Sequence, residues 1–274
     1  MRIASSLELV PFAWHSVAVS LWKRFRFFLL LGDTGSGKTE WAFEQSRLAN
    51  LDFGPLVCSL SPESDRSDIW GRPQLSDGKL GTVSSFVDGP FPLALKEGLT
   101  VVVDEFGTAS MDVRGTLLGC RDKLIVTNPL NHEMIKVHKD FRMIATSNVE
   151  SVRCNRSATQ MIAKSLFDAF VVLEVPRIEI DTIRTMLHRE FPNAKENNLE
   201  RTIYLWDSYR TIRDDTSDDS QSGESFLSYR AASQLMQCLE DGVQEDQAVL
   251  SCICSKFITD DDLFRVAKLR ASIS

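Results

Sequence analysis

The sequence predicts an α/β fold: a parallel-sheet core built on a phosphate-binding loop, followed by a small C-terminal helical lid. Three observations carry this. A glycine-rich octapeptide lies between an apolar run and a helical stretch. Two further apolar runs end in acidic or amide side chains. Beyond Pro176 the apolar spacing changes to every fourth residue.

The octapeptide is Gly32-Asp33-Thr34-Gly35-Ser36-Gly37-Lys38-Thr39. It fits Gly-x-x-x-x-Gly-Lys-Thr, a motif that is meaningful only between a strand and a helix. Both flanks are right. Residues 25–31 are apolar enough for a buried strand, and residues 40–49 read as a helix carrying Trp41, Ala42 and Phe43. In such a loop the glycines let backbone N–H groups close around phosphates, and the helix N-terminus adds partial positive charge. Lys38 supplies a mobile cation, and Thr39 supplies an oxygen for Mg2+.

The second apolar run, residues 99–103, ends in Asp104-Glu105. A continuous apolar stretch suits a parallel strand covered on both faces. Carboxylates at its C-terminal end face the crevice where α/β sheets bind ligands. Asp104 can hold the Mg2+ shell, and Glu105 can orient and deprotonate an attacking water. The third run, residues 141–146, leads into Ser147-Asn148. An Asn after a strand is usually a turn residue. Asn148 gains weight from its position, where its amide could meet a γ-phosphate or the water.

These segments, in this order, resemble the MoxR branch of the AAA+ ATPases, and within it the ATPase subunit of cobalt chelatases. Ser67-Asp68-Ile69-Trp70-Gly71-Arg72 is similar to the family's Asp-Leu-Leu-Gly segment. Residues 88–98, Asp-Gly-Pro-Phe-Pro-Leu-Ala-Leu-Lys-Glu-Gly, are similar to its lead into the acidic strand. Residues 138–148 are similar to the segment carrying sensor 1, with Asn148 as the sensor. Leu227-Ser228-Tyr229-Arg230 is similar to Leu-Ser-Pro-Arg, which places the sensor 2 arginine, here Arg230, on a lid helix. The resemblance implies an AAA+ core over residues 1–175 and a lid over 176–274. It implies ATP and Mg2+ as cofactors, nucleotide contacts from Gly32 through Thr39 and from Arg230, Mg2+ at Thr39 and Asp104, and catalysis by Glu105, Lys38 and Asn148. It further implies a homo-oligomeric ring, most often a hexamer. The ring would act on a partner protein, often one with a von Willebrand factor A domain, in metal or cofactor insertion.

One family feature is missing. The family places Asp-Arg-Phe or Asp-Arg-Trp before its last core strand, and that Arg is expected to reach a neighbouring subunit's site. Here the segment reads Asp168-Ala169-Phe170. Arginine fingers accelerate hydrolysis by about a thousandfold or more. Three readings follow: Arg153, Arg156, Arg114 or Arg121 substitutes; a different chain supplies the Arg; or the protein is an ATP-binding switch with little turnover.

The chain has 274 residues, a net charge of −7 and a pI near 5.2. That length supports one large or two ordinary domains. The acidic balance weighs against a DNA-acting motor, which ordinarily carries a basic face. The one basic stretch with interleaved aromatics, Trp22-Lys23-Arg24-Phe25-Arg26, runs straight into the first strand and reads as a solvated strand entry. No apolar stretch is long enough for a membrane span, and residues 10–22 read as a core helix. Arg2 followed by apolar residues hints at a signal peptide, but no small-residue cleavage site follows, so a cytoplasmic location is expected. Six cysteines occur at irregular spacing without a Cys-x-x-Cys pair and read as reduced thiols. A metal site at Cys252, Cys254 and a His is the less favoured alternative. The four histidines read as structural.

Within the lid, Ile183, Leu187 and Phe191 mark one helix, ended by Pro192. Leu199, Ile203 and Trp206 mark a second, Ala231, Leu235 and Leu239 a third, and Val249, Ile253 and Phe257 a fourth. Residues 213–225 are rich in Asp, Ser and Gly and read as a loop. In the core, residues 75–85 read as a polar interruption. Residues 124–127 and 134–137 read as a β-hairpin with a longer turn.

Overall fold

The structure is a computed structural model, and it describes residues 13–78, 81–148, 168–216 and 227–257. The chain divides into two compact units. One comprises Ala13–Gly32 and Gly37–Val175; the other contains Asp33–Ser36 and the chain from Pro176 onward.

The first unit opens with α1 (Ala13–Arg24), β1 (Phe27–Gly32), α2 (Lys38–Ala49), β2 (Leu56–Ser59) and α3 (Arg66–Trp70). Next come β3 (Gly71–Gly78), β4 (Gly81–Asp88), α4 (Pro90–Glu97), β5 (Thr100–Asp104) and α5 (Met111–Leu118). It closes with β6 (Ile125–Thr127), β7 (Met134–Lys136), β8 (Arg142–Asn148) and β9 (Val171–Glu174). Five strands pair in parallel in the order β2–β5–β8–β1–β9. The strand carrying Asn148 therefore separates the strand that feeds the glycine loop from the strand that ends in Asp104. Gly32 pairs with Asn148, and Ser59 with Asp104, so the chemically interesting ends lie along one edge of the sheet.

The uniformly apolar sequence of β1 follows from burial on both faces. Successive strand residues point to opposite sides. Phe28 packs against Trp41, with ring centroids 6.0 Å apart, and Trp41 in turn meets Trp14 of α1. Phe27 faces the other way, toward Phe141 and Phe170. Two polar groups fix α2 to the sheet. Ser46 Oγ donates to the Thr100 carbonyl at 2.8 Å. The buried Asn50 amide exchanges two hydrogen bonds with the Thr100 backbone, Nδ2 to O at 2.8 Å and N to Oδ1 at 2.9 Å. Buried polar side chains are stable only when paired in this way.

The basic stretch before β1 is tied up in the fold. Arg26 donates to the carbonyls of Phe141 and His138, and Arg142 donates to those of Trp22, Lys23 and Phe25 at the end of α1. The hairpin expected around residues 128–133 is present as β6–β7. The segment expected as a polar interruption is instead an antiparallel ribbon, β3–β4, running in register from Gly71–Asp88 to Gly78–Gly81. Its polar strands lack the apolar alternation that signals a half-buried sheet, so pattern reading passes over them.

The helical unit contains α6 (Ile180–Glu190), α7 (Glu196–Thr216), α8 (Tyr229–Glu240) and α9 (Glu245–Cys252), then a 3-10 turn at Cys254–Phe257. Ile183, Leu187, Leu199, Ile203, Leu235 and Val249 belong to its own apolar cluster, separate from that of the sheet. Two sequence expectations need correction. The helix α7 runs to Thr216, so residues 213–216 are helical rather than loop, because extending an existing helix adds one hydrogen bond per residue fixed. Residues 217–226 lie outside the described residues. The fourth helix ends at Cys252 and tightens into the 3-10 turn, so it does not run continuously to Phe257.

Cys58 and Cys120 are buried, and burial pushes both thiols up to about 12. Cys238 and Cys252 bring their sulfurs within 3.6 Å between α8 and α9. Among the described residues no group of three His, Cys, Asp or Glu side chains forms a metal site. None of the described helices is long and apolar enough to cross a membrane.

Candidate functional site

The glycine loop joins β1 to α2, and its backbone requires glycine at two places. Gly35 and Gly37 have φ of 81° and 85°, in the left-handed region that residues with a Cβ rarely enter. Gly37 is the N-cap of α2, so the helix begins at Lys38 with its first N–H groups toward the loop.

Lys38 is buried at 5% exposure. Its ammonium donates to the Gly32 carbonyl at 2.9 Å and to Asn148 Oδ1 at 3.2 Å. The Asn148 amide nitrogen donates in turn toward both carboxylate oxygens of Glu105, at 3.3 and 3.4 Å. A cation, an amide and an acid from three chain segments thus form one polar chain.

A second set centres on Asp104. Its Oδ1 accepts from the Thr39 hydroxyl at 2.7 Å and from the Thr146 hydroxyl at 2.5 Å. Thr146 Oγ1 also accepts from the Glu105 N–H at 3.2 Å. Because Thr39 gives its proton to Asp104, its lone pairs can face a cation. A hydroxyl beside a carboxylate is the hard-oxygen set that suits Mg2+, which keeps several waters and takes few protein ligands.

Glu105 has φ of 56°, one of two non-glycine residues with positive φ among those described. Such a conformation costs roughly 1–3 kcal/mol and persists only where the surroundings impose it. Here the Thr146 side chain and main chain impose it. The Thr146 carbonyl accepts from the Phe106 N–H at 2.8 Å, directly after the hydroxyl contact with Glu105. Thr146 is the candidate site residue that sequence reasoning missed.

The first half of the loop contributes to a pocket in the helical unit. Residues 33–36 line it together with Arg177, Ile178, Trp206, Leu227, Ser228 and Tyr229. Arg177 pairs with Asp33, Nε to Oδ2 at 3.3 Å, and the Trp206 indole N–H donates to the Ser228 carbonyl at 3.2 Å. Arg230 follows directly, exposed in the first turn of α8.

The structure therefore brings Lys38, Thr39, Asp104, Glu105 and Asn148 together in one unit, and places Asp33, Thr34, Gly35, Ser36 and Arg230 in the other. Ala169 is 8% exposed and belongs to the buried cluster that contains Phe27, Phe106 and Phe170. Among the suggested substitutes, Arg114 is also buried, at 7% exposure, and burial lowers its pKa. Arg121 is exposed, 4.0 Å from Asp122. Arg153 and Arg156 lie outside the described residues.

A five-stranded parallel sheet with a glycine loop after one strand and an acidic pair after another defines a nucleotide-binding α/β protein of the AAA+ type. The chain belongs to the AAA domain family (dynein-related subfamily), which matches residues 27–163. It is 29% identical over 197 residues to an uncharacterized protein of Staphylococcus epidermidis, covering 71% of this chain and 72% of the relative. It is 29% identical over 205 residues to an uncharacterized protein of Staphylococcus aureus, covering 74% of each. Among solved structures, a closed-state reconstruction of Hsp104 with ATPγS and FITC-casein aligns with a TM-score of 0.46 at 18% identity. That match covers 77% of this chain, which spans 39% of the Hsp104 chain.

Proposed function

We propose that the protein binds Mg-ATP on residues 32–39, hydrolyses it with Glu105, and uses the cycle to remodel or activate a partner protein. The observation that carries this is the polar chain from Lys38 through Asn148 to Glu105, beside the Thr39–Asp104 pair. A polyphosphate on the loop competes with Gly32 O and Asn148 Oδ1 for the Lys38 ammonium. Once Lys38 turns to phosphate, Asn148 is free to reorient, and with it the Glu105 carboxylate that it holds. Glu105 then orients a water in line with the γ-phosphate and takes its proton. When bound, Mg2+ would supply neutralisation of phosphate charge, and Thr39 and Asp104 are the residues that would hold it. In the helical unit, Ile178, Trp206 and Leu227 line the pocket formed with residues 33–36 and offer an apolar wall suited to a nucleobase, and the motif resemblance makes Arg230 the sensor 2 candidate.

The MoxR assignment, the ring, its hexameric state, the cytoplasmic setting and a partner with a von Willebrand factor A domain rest on the motif resemblance. The structure adds support for a second reading, an ATP-gated switch with little turnover. Ala169 and Arg114 are both buried, so neither position presents a cation to a neighbour, whereas Arg121 is exposed and Arg153 and Arg156 lie outside the described residues.

Two variants test the proposal. Lys38→Ala should weaken ATP binding by about tenfold or more, the loss expected for a charge-assisted contact. Glu105→Gln should bind ATP and nearly cease hydrolysis. Equal ATP affinity for Lys38→Ala and wild type by calorimetry refutes the loop assignment. Unchanged steady-state turnover in Glu105→Gln refutes the assignment of the base.

A further inference from the structure

The phosphate loop carries an acid of its own. Asp33 directly follows Gly32, inside the segment that would wrap a polyphosphate. A carboxylate there opposes the binding of a highly charged anion unless something neutralises it. The structure supplies a counter-ion. Arg177 Nε lies 3.3 Å from Asp33 Oδ2, and the two side chains, 44% and 23% exposed, line one pocket with Thr34, Gly35 and Ser36.

The local sequence holds Arg177 in place. Pro176 restricts the backbone immediately before it. Ile178, immediately after it, packs against the apolar cluster of the helical unit. A guanidinium carries five N–H donors in a rigid fork, so one edge can hold a carboxylate while another meets a phosphate oxygen. A lysine ammonium has three donors around a compact charge but lacks the planar fork that holds a carboxylate along one edge.

We propose that Arg177 is the charge-balancing residue of the phosphate loop: it neutralises Asp33 and, as the polyphosphate of a nucleoside triphosphate enters, turns guanidinium donors to it in exchange for their present contacts. This rests on the nucleotide-binding reading above, and it adds a residue that neither the loop motif nor the family match includes. Arg177 acts on binding and not on the chemical step, so its loss should raise KM and leave kcat close to wild type.

The test is calorimetric titration of Mg-ATP into the full chain, with steady-state turnover measured in parallel. The variants are Arg177→Ala, Arg177→Lys, Asp33→Asn, and the double variant Arg177→Ala/Asp33→Asn. Arg177→Ala should weaken binding by about tenfold, because it removes a charge-assisted contact and the positive charge beside Asp33. Arg177→Lys should fall between Arg177→Ala and wild type. Asp33→Asn should bind more tightly than wild type, because it removes a negative charge from the loop. The double variant should recover part of what Arg177→Ala loses, which a simple packing defect at Arg177 would not allow. An unchanged affinity for Arg177→Ala overturns the proposal. So does a double variant that binds no more tightly than Arg177→Ala. Lys38→Ala separates the two levels. If wild type and Lys38→Ala bind ATP equally, the nucleotide reading fails. If Lys38→Ala loses affinity while Arg177→Ala does not, only the role of Arg177 fails.

Discussion

Thr146 is the residue on which both acids of the site depend. Its hydroxyl donates to Asp104 and accepts from the Glu105 N–H, where Glu105 holds a positive φ. Thr146→Val keeps the β-branched shape that suits a strand and removes both hydrogen bonds. Hydrogen bonds to charged groups contribute about 1.5–3 kcal/mol, so turnover should fall roughly tenfold or more. Thr146→Ser should retain most of it. The check is turnover against Mg2+ concentration, where Thr146→Val should need more Mg2+. Identical curves for Val and wild type would remove Thr146 from the site. The contrast with its neighbours shows what a sequence can reveal. Lys38, Thr39 and the Asp104-Glu105 pair stand at fixed places in a motif or at the end of an apolar run. Thr146 is an ordinary strand residue until the pairing of β5 with β8 sets it beside Asp104. Arg177 was hidden for the same reason, because only the folded chain brings it to Asp33.

At the scale of elements, the helical unit depends on ties between helices as well as on its apolar cluster. Arg201 of α7 meets Glu245 at the start of α9, Nε to Oε2 at 2.8 Å, in a forked contact with both groups partly exposed. The hydrogen bond from Arg201 holds the Glu245 carboxyl below its ordinary value of 4.5. A carboxylate with a depressed folded-state pKa stabilises the fold above its unfolded pKa, and that contribution is lost as pH falls through the folded value. Glu245→Gln should therefore lower stability at pH 7 by about 0.5–1 kcal/mol, a figure limited by solvent screening. The difference should shrink steadily below about pH 4.5. Denaturant unfolding of both proteins at pH 7 and in acid would show it, and a gap that widens in acid would exclude this role. The helices themselves were legible because apolar residues every fourth position mark a buried stripe. The β3–β4 ribbon was not, since polar strands carry no such mark, and neither was the change from α9 to a 3-10 turn, because Ile253 keeps the apolar spacing across the break.

At the scale of the molecule, the two units keep separate apolar clusters, and this decides what the missing arginine finger can mean. The resemblance places the finger at Ala169 and implies that Ala169→Arg restores it and raises turnover in an assembled ring. The packing predicts another outcome. Ala169 is buried in the cluster of the sheet unit, where Phe170 meets Phe27 and Phe106 with ring centroids 6.2 and 5.4 Å away. A guanidinium inserted there both overpacks the cluster and buries a charge with no partner, at a cost of at least about 3 kcal/mol. For a protein of this size that lowers the melting temperature by roughly 6–12 °C. The damage should be local to one unit. Hydrogen exchange should accelerate in β1, β8 and β9, while α6, α7 and α8 keep their protection because their cluster is independent. Turnover should not rise. The measurement is exchange and ATP turnover on the same preparation, at a concentration where any oligomer is shown to form. An Ala169→Arg protein that melts like wild type and hydrolyses ATP faster would show that the chain around residue 169 can turn outward to serve a neighbouring subunit, and would reverse this conclusion.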